Sequence, residues 1–270
     1  MMAIELKDAS FTYPNGYTAV EHLNLVIESG EKVGIVGQNG AGKTTAVKMM
    51  NGLHKPSGGD VIVDGVNTKE KTTAQISTYV GYVFQNPDDQ IFNKSVIAEI
   101  EYMPRYLKME EKEIKRRVER AVELTGIAKY LKKNPFDIPY STRKFVAIAA
   151  ILATETPYLI LDEPTAGQDA EGIAILSRLI DALQAEGRSV ITITHDMEFV
   201  ADNFDRVVAM AQKHIIADGS ARDIFWNEEV VSTSRIRKTA IGELAKELQI
   251  GERILYCDEM VEEIARRLGR

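Results

Sequence analysis

The stretch "GIVGQNGAGKTT", residues 34–45, decides the fold class of this chain. It follows an apolar strand pattern, opens a helix pattern and contains Gly37-x-x-x-x-Gly42-Lys43-Thr44. In that context the glycines let consecutive backbone N–H groups surround phosphate oxygens, next to the positive end of a helix. We expect Lys43 to reach the β- and γ-phosphates and the Thr44 hydroxyl to bind Mg²⁺. The other residues of the predicted loop are Asn39, Gly40, Ala41 and Thr45.

Composition limits the kind of protein that carries this loop. The chain has 44% hydrophobic and 27% charged residues, as globular proteins do. Its net charge of −7 argues against nucleic acid or anionic lipid as the main partner, since both attract basic surfaces. No apolar run approaches the roughly 20 residues of a membrane helix, and "MMAIELKDAS" lacks signal-peptide features. With Cys257 as its single cysteine, the chain is predicted to be cytoplasmic, with any membrane role peripheral.

Strand and helix patterns alternate along most of the sequence. This alternation predicts an α/β domain with a largely parallel sheet, preceded by an antiparallel β edge at the N-terminus. Residues 95–150 are almost entirely helical in pattern and are interpreted as a helical insertion. After about residue 227 the pattern changes again, and 228–270 is predicted to be a C-terminal helical extension. The predicted strands include "AIELKDASFTY", "LNLVIES", "EKVGIVG", "VIVDG", "VGYVF", "YLILDE", "SVITITHD" and "RVVAMAQ".

Two adjacent carboxylates end the apolar strand in "YLILDEP". Asp162 can hold Mg²⁺ directly or through water, and Glu163 can polarise a water for attack on the γ-phosphate. Adjacent acids at a strand end are also common as solvated loop residues. Their pairing with a phosphate loop favours the catalytic interpretation.

Three further polar or aromatic residues stand beside predicted strands. His195 ends "VITITH" and can bond the γ-phosphate and the attacking water, although a lone histidine is more often structural. Gln85 ends "VGYVFQ", where the helical insertion begins, and its amide can contact Mg²⁺ or water. Tyr13 lies upstream of the phosphate loop and can stack on adenine, or can be an ordinary strand aromatic.

The order of these motifs resembles that of ABC-transporter ATPase subunits over residues 4 to about 225. More narrowly, "FQNPDDQIF" and "DEPTAG" are similar to the ATPases of energy-coupling-factor (ECF) transporters, the cobalt, nickel and vitamin importers. The resemblance implies a P-loop NTPase (RecA-like) core that uses ATP and Mg²⁺. It implies that Asp162 closes the Walker B motif, Glu163 is the general base and His195 is the switch histidine.

The resemblance also implies partners and a location. Expected partners are a second ABC ATPase subunit, a transmembrane coupling subunit and a substrate-binding membrane subunit, at the cytoplasmic face of the cell membrane. Asp169 falls in the D-loop, which crosses the dimer interface, and Gln168 replaces the usual leucine beside it. The C-terminal extension is similar to one that those ATPases use to dimerise. Asp88 and Asp89 can meet basic residues of the membrane subunit or be a solvated acidic turn.

One segment departs from the family. Where the pattern is "PFxLSGGQxxRVAIA", this chain reads "PFDIPYSTRKFVAIA", residues 135–149. Proline has no N–H to donate, and a tyrosine ring blocks the close backbone approach that glycine allows. Ser141 or Thr142 is expected to cap the following helix. With Arg143 they can instead rebuild a weaker phosphate contact. The residues of the degenerate signature are Pro139, Tyr140, Ser141 and Thr142.

A poor signature predicts an asymmetric pair of ATPases. The family builds each site from the phosphate loop of one subunit and the signature of the other. A homodimer would have two damaged sites, whereas a partner with an intact signature would complete one competent site on this chain. Alternatives are the ATPase of another ABC importer and a soluble ABC switch protein. A small-molecule kinase does not explain Gln85, "DEPTAG" and His195 together.

Overall fold

Two β-sheets with helices around them form the protein, and the computed structural model describes residues 2–250 and 253–269. The strands are β1 (Ala3–Thr12), β2 (Thr18–Glu28), β3 (Lys32–Val36), β4 (Gly58–Val63), β5 (Val66–Asn67), β6 (Val80–Val83), β7 (Tyr158–Asp162), β8 (Ser189–Ile193), β9 (Arg206–Ala211) and β10 (His214–Ser220). The α-helices are α1 (Lys43–Met50), α2 (Thr73–Ile76), α3 (Val96–Tyr106), α4 (Glu111–Thr125), α5 (Tyr140–Leu152), α6 (Ala170–Ala185), α7 (Met197–Asn203), α8 (Ala221–Phe225), α9 (Glu228–Ser234), α10 (Ala240–Glu247) and α11 (Cys257–Arg267).

The larger sheet carries the site. Its strand order is β10-β9-β3-β8-β7-β6, and the pairings from β9 to β6 are parallel. Strands β7 and β8 are buried at every residue, which explains their continuous apolar runs, since helices cover both faces of a parallel sheet. The smaller sheet, β2-β1-β4-β5, is antiparallel. The predicted α/β fold with an antiparallel N-terminal sheet is confirmed by this topology.

Strand β10 was missed by the sequence reasoning. It pairs antiparallel with β9 at the edge of the larger sheet, and its residues alternate between exposed and half-buried. An edge strand with polar residues on its open face lacks the continuous apolar run that identifies the central strands.

The helices α3, α4 and α5 occupy the segment predicted as an insertion. Their apolar faces share one core with the sheet edge, for example through Ile100, Val118 and Phe145. At the other end of the chain, Val230 and Leu255 belong to the same buried apolar cluster as Val36 of β3, so the C-terminal segment packs together with residues of the larger sheet. The domain boundary at 227 therefore stays a prediction. In the described ranges, no helix has the length and apolarity needed to cross a membrane.

Candidate active site

The ends of four parallel strands bring the predicted residues to one edge of the sheet. Because parallel strands end at the same edge, the loops after β3, β6, β7 and β8 meet there. They enclose an open cavity of about 520 Å³. The predicted residues that line it are Tyr13, Asn39, Gly40, Ala41, Gly42, Lys43, Thr44, Thr45, Gln85, Asp162, Glu163 and His195.

The loop before α1 needs glycine at two positions. Gly37 has φ 144°, and a Cβ there would lie 2.1 Å from the Met210 carbonyl oxygen. Gly42 has φ 101°, and a Cβ there would lie 2.3 Å from a Val20 methyl carbon. Both positions combine a left-handed backbone with contact to neighbouring atoms, so a side chain would displace the loop. Gly37 thus lies behind the loop and shapes it without lining the cavity.

The loop offers an anion site. Among the described residues, the amide N–H groups of residues 39, 40 and 42–45 have no hydrogen-bond acceptor, and Ala46 is the first amide of α1 to be paired, with the Gly42 carbonyl. Lys43 Nζ donates to the carbonyl oxygens of Gly37 (2.6 Å) and Gln38 (3.0 Å). Burial lowers the pKa of Lys43, while Glu163 and Asp162 act in the opposite direction. Unpaired amides and a lysine at a helix start fit a polyphosphate.

Asp162 is held by a residue that the sequence reasoning did not identify. The Tyr82 hydroxyl of β6 donates to Asp162 Oδ2 at 2.6 Å, and both side chains are buried. Burial raises the pKa of Asp162, and the hydrogen bond from Tyr82 opposes that shift. Tyr82 lies three residues before Gln85 on the neighbouring strand, but no motif marks it.

The donor set fits Mg²⁺ bound together with a nucleotide. No group of three or more His, Cys, Asp or Glu side chains suited to a metal occurs in the described part of the chain. Mg²⁺ is usually held by one or two carboxylates, substrate phosphates and water, so an all-protein cage is not needed. Asp162, the Thr44 hydroxyl and the Gln85 amide, which all line the cavity, are oxygen ligands of the required kind.

Glu163 and His195 form a pair at the cavity wall. Glu163 Oε1 lies 3.3 Å from His195 Nε2, and the His195 amide donates to Glu163 Oε2 at 3.3 Å. Burial raises the pKa of Glu163, and electrostatic interaction with the neighbouring His195 and the hydrogen bond from its amide act against this shift. Glu163 has a left-handed backbone, with φ 49°, which few residues with side chains adopt. A carboxylate beside an imidazole can accept a proton from water and return it.

Two tyrosines flank the cavity on the side of the smaller sheet. The Tyr13 hydroxyl lies 3.5 Å from Thr45 Oγ1, and its ring lies 6.4 Å from that of Tyr17 in a stacked orientation. Tyr17 was not predicted, because it stands in the turn after "SFTYPNG" and no spacing rule singles it out. Together the rings offer an aromatic face for a purine.

Asp169 and the segment 139–142 lie away from this cavity. Asp169 caps α6 by accepting a hydrogen bond from the Gly172 amide at 2.8 Å. Helix α5 begins at Tyr140 with Pro139 before it and has no side-chain cap. The expected cap from Ser141 or Thr142 is wrong. Both residues already belong to the first turn of the helix, and the cap position itself is taken by proline.

Arg143 is engaged inside the chain by four hydrogen bonds. Its guanidinium donates to Asp88 Oδ1 (2.7 Å) and to the main-chain oxygens of Pro135 (3.0 Å), Phe136 (3.1 Å) and Ile138 (3.3 Å). It therefore ties the start of α5 to the segment after Gln85. These bonds engage both Arg143 and Asp88 within the chain, and the weaker phosphate contact predicted for residues 141–143 stays a prediction.

The comparisons with known proteins agree on one family. The family model described as "ABC transporter" matches residues 20–166. A Pyrococcus furiosus protein, provisionally named an ABC transporter ATP-binding protein, is 43% identical over 82% of this chain and 85% of its own length. The energy-coupling factor transporter ATP-binding protein EcfA of Methanothermobacter thermautotrophicus is 36% identical over 92% of this chain and 80% of its own.

A solved structure agrees with these relatives. CbiO1 from Clostridium perfringens, described as part of the ABC transporter complex CbiONQ, superposes with a TM-score of 0.77. It is 33% identical to this chain, and the match covers 90% of this chain and 98% of CbiO1.

Proposed function

The chain belongs to the ABC transporter family of ATP-binding proteins, whose members hydrolyse ATP coupled to transport, and we propose that it energises an importer of the energy-coupling-factor type. The observation that carries this proposal is the convergence of Lys43, Asp162, Glu163 and His195 on one cavity beside unpaired loop amides. The likeness to EcfA proteins and to CbiO1 supports the importer type.

Each residue has a distinct part in this proposal. The loop amides and Lys43 bind the phosphates of ATP, and Tyr13 stacks on the adenine. Thr44, Asp162 and Gln85 would hold Mg²⁺, which neutralises phosphate charge when bound. Glu163 takes the proton of the attacking water, and His195 orients that carboxylate and the γ-phosphate. Asp169 serves in the D-loop at the contact with a second ATPase subunit.

The test separates binding from hydrolysis. Glu163→Gln keeps the shape of the side chain and removes its basicity, so we expect ATP binding to persist and the hydrolysis rate to fall by roughly 10²-fold or more. Glu119→Gln, the same change at an exposed position of α4, is the matched control and should leave the rate unchanged. A Glu163→Gln protein that hydrolyses ATP at the wild-type rate would refute the assignment.

We further propose that the chain works in an asymmetric pair. Pro139, at the cap position of α5, and the half-exposed ring of Tyr140 support this proposal, because they occupy the positions at which the family pattern has its signature serine and first glycine. Losing amide contacts to a phosphate in the transition state slows hydrolysis strongly. The partner would be a different ATPase chain with an intact signature, and the competent site would be the one built on this chain's Glu163.

Restoring glycine tests the asymmetry. Tyr140→Gly/Ser141→Gly should raise the ATPase rate of the chain alone, because it reopens the backbone to the nucleotide of a second copy. The control is Lys132→Gly/Lys133→Gly, which makes the same change at exposed positions nearby. Two results together would contradict the asymmetric pair. The wild-type chain alone would hydrolyse ATP at a rate that depends strongly on protein concentration, and the double-glycine variant would be no faster.

An exposed aromatic patch supports docking on a transmembrane coupling subunit at the cytoplasmic face of the membrane. The ring of Phe92 contacts Tyr102 edge-on, with centroids 4.7 Å apart, and Tyr102 lies 6.4 Å from Tyr106. The patch begins at Phe92, in the segment between Gln85 and α3, so its partner could respond to bound nucleotide. Phe92→Ser/Tyr106→Ser should keep ATP binding and lose co-purification with the membrane subunits, including the one that binds the transported solute.

A further inference from the structure

A buried lysine in α5 contacts the main chain of the proposed base. Lys144 is 4% exposed, and its Nζ donates to the Glu163 carbonyl oxygen at 2.8 Å. That carbonyl is its one hydrogen-bond acceptor among the described residues. Burial lowers the pKa of Lys144, and the nearby carboxylates of Glu163 and Asp162 oppose part of that shift. Lysine is seldom buried without a hydrogen-bonding or charged partner, because its ammonium group loses its hydration in the interior.

Glu163 needs support for its main chain. Its φ of 49° is a left-handed conformation that is unfavourable for a residue with a side chain and persists only where the surroundings hold it. On one side, the Glu163 amide donates to the Ile193 carbonyl of β8 at 2.8 Å. On the other side, the Glu163 carbonyl accepts from Lys144 Nζ at 2.8 Å and from the Ala166 amide at the longer distance of 3.4 Å. The turn is thus fixed by the sheet at its N–H and by α5 at its C=O.

We propose that Lys144 is a positioning residue for hydrolysis: by holding the Glu163 carbonyl it fixes the turn that aims the Glu163 carboxylate into the cavity. The proposal rests on the proposed role of Glu163 as the base. A base must lie within hydrogen-bond reach of the water whose proton it takes, and small displacements reduce the rate strongly. Lys144 touches neither nucleotide nor water in this scheme and acts through Glu163.

The same side chain links Glu163 to the degenerate signature. Lys144 Nζ lies 6.0 Å from the centre of the Tyr140 ring. A second tie runs parallel to it, since Gln168 Nε2 donates to the Ser141 carbonyl at 3.1 Å. The loop after β7 is therefore fastened to the first turns of α5 at two points. Lys144 is the tie that reaches the base itself.

The test compares two lysine-to-methionine variants. Lys144→Met keeps the length of the apolar stem and removes the donor, while Lys132→Met makes the same change at an exposed position. Single-turnover hydrolysis of radiolabelled ATP resolves the rate even if the chain is slow alone. We expect Lys144→Met to lower the saturated rate about tenfold, with half-saturation by ATP and nucleotide stoichiometry unchanged. Lys144→Arg, which keeps a charged donor, should recover part of the rate.

Three results would overturn the inference. These are a Lys144→Met rate within twofold of wild type, a rate loss matched by an equal loss of bound nucleotide, and no recovery of the rate in Lys144→Arg.

The double variant Lys144→Met/Glu163→Gln separates this proposal from the proposed role of Glu163. If Lys144 acts through Glu163, adding Lys144→Met to Glu163→Gln slows hydrolysis no further. If Glu163→Gln alone is fully active, the proposed base fails; if it is inactive while Lys144→Met is normal, only the positioning role fails.

Discussion

At the scale of single residues, burial controls the chemistry of the two carboxylates. Asp162 and Glu163 are neighbours at the end of β7, and burial raises the pKa of both. Different groups oppose that shift, the Tyr82 hydroxyl at Asp162 and the neighbouring His195 at Glu163. Adjacent acids thereby obtain separate environments, which suits one to a metal and the other to proton transfer.

The raised pKa of Glu163 predicts that the rate of hydrolysis falls on the acid side of its pH profile. A base acts only when ionised, and its raised pKa means that protonation begins at a higher pH than for an ordinary glutamate at 4.5. As pH falls, kcat should therefore decline with a midpoint above pH 4.5. The measurement is kcat at saturating ATP across pH, with circular dichroism to show that the protein stays folded. A midpoint at or below 4.5 would contradict the raised pKa.

Removing the Tyr82 hydroxyl should destabilise the protein in a pH-dependent way. Tyr82→Phe leaves the buried Asp162 carboxylate without its donor, which costs about 1–3 kcal/mol of unfolding free energy at neutral pH. The pKa of Asp162 is raised in the folded protein and rises further in the variant. The penalty is present while Asp162 is ionised and shrinks as pH falls through its folded-state pKa towards the unfolded value of 3.8.

Urea unfolding at pH 7.5 and pH 5 measures this effect. Tyr79→Phe is the matched control, because the Tyr79 hydroxyl has no partner among the described residues. A Tyr82→Phe protein with wild-type stability at pH 7.5 would show that the hydroxyl does not support the carboxylate.

At the scale of elements, the contacts at the start of α5 depend on one arginine. Arg143 makes four hydrogen bonds that join α5 to Asp88 and to the turn at 135–138. From the sequence alone, this residue is predicted only to occupy a variable position of a degenerate signature. Its partners are known only from the fold, because Asp88 is 55 residues away in the chain.

Replacing Arg143 should loosen this joint without unfolding the sheet. Arg143→Met keeps the stem and removes all four bonds, so hydrogen exchange should speed up in residues 135–142 and 86–90. We expect a loss of about 1–3 kcal/mol of local or global stability. Arg178→Met, on the exposed side of α6, is the control. Unchanged hydrogen exchange in both segments would show that Arg143 does not hold them together.

At the scale of the whole molecule, apolar residues remain exposed on the C-terminal helices. Leu244 of α10 lies one helical turn before the C-cap residue Leu248, and Val261 of α11 lies two turns before the C-cap residue Leu268. Spacings of four and seven place each pair on one helix face. Exposed apolar rows of this kind often mark contacts between subunits. They support the proposal that this extension pairs two ATPase chains.

Charges on these faces should prevent pairing. Leu248→Glu/Val261→Glu should give a monomer in light scattering at concentrations where the wild type is dimeric with itself or with its partner chain. Ala174→Glu/Ala185→Glu adds the same two charges at exposed positions of α6 and should leave the assembly unchanged. The proposal is wrong if the first variant assembles as well as the second.

The sequence alone determined the fold class, the family and the main cavity residues. Glycine spacing, a strand ending in two acids, and Gln85 and His195 at strand ends are local features, and parallel strands bring such ends to one edge. Tertiary structure decided the rest. Tyr82, Tyr17 and Lys144 contact the site across strands or from a neighbouring helix, so no spacing marks them. The missing cap of α5 has a local cause, since proline takes the cap position and Ser141 and Thr142 fall inside the first turn. The contact of Arg143 with Asp88 depends on the fold, because 55 residues separate the two in the chain.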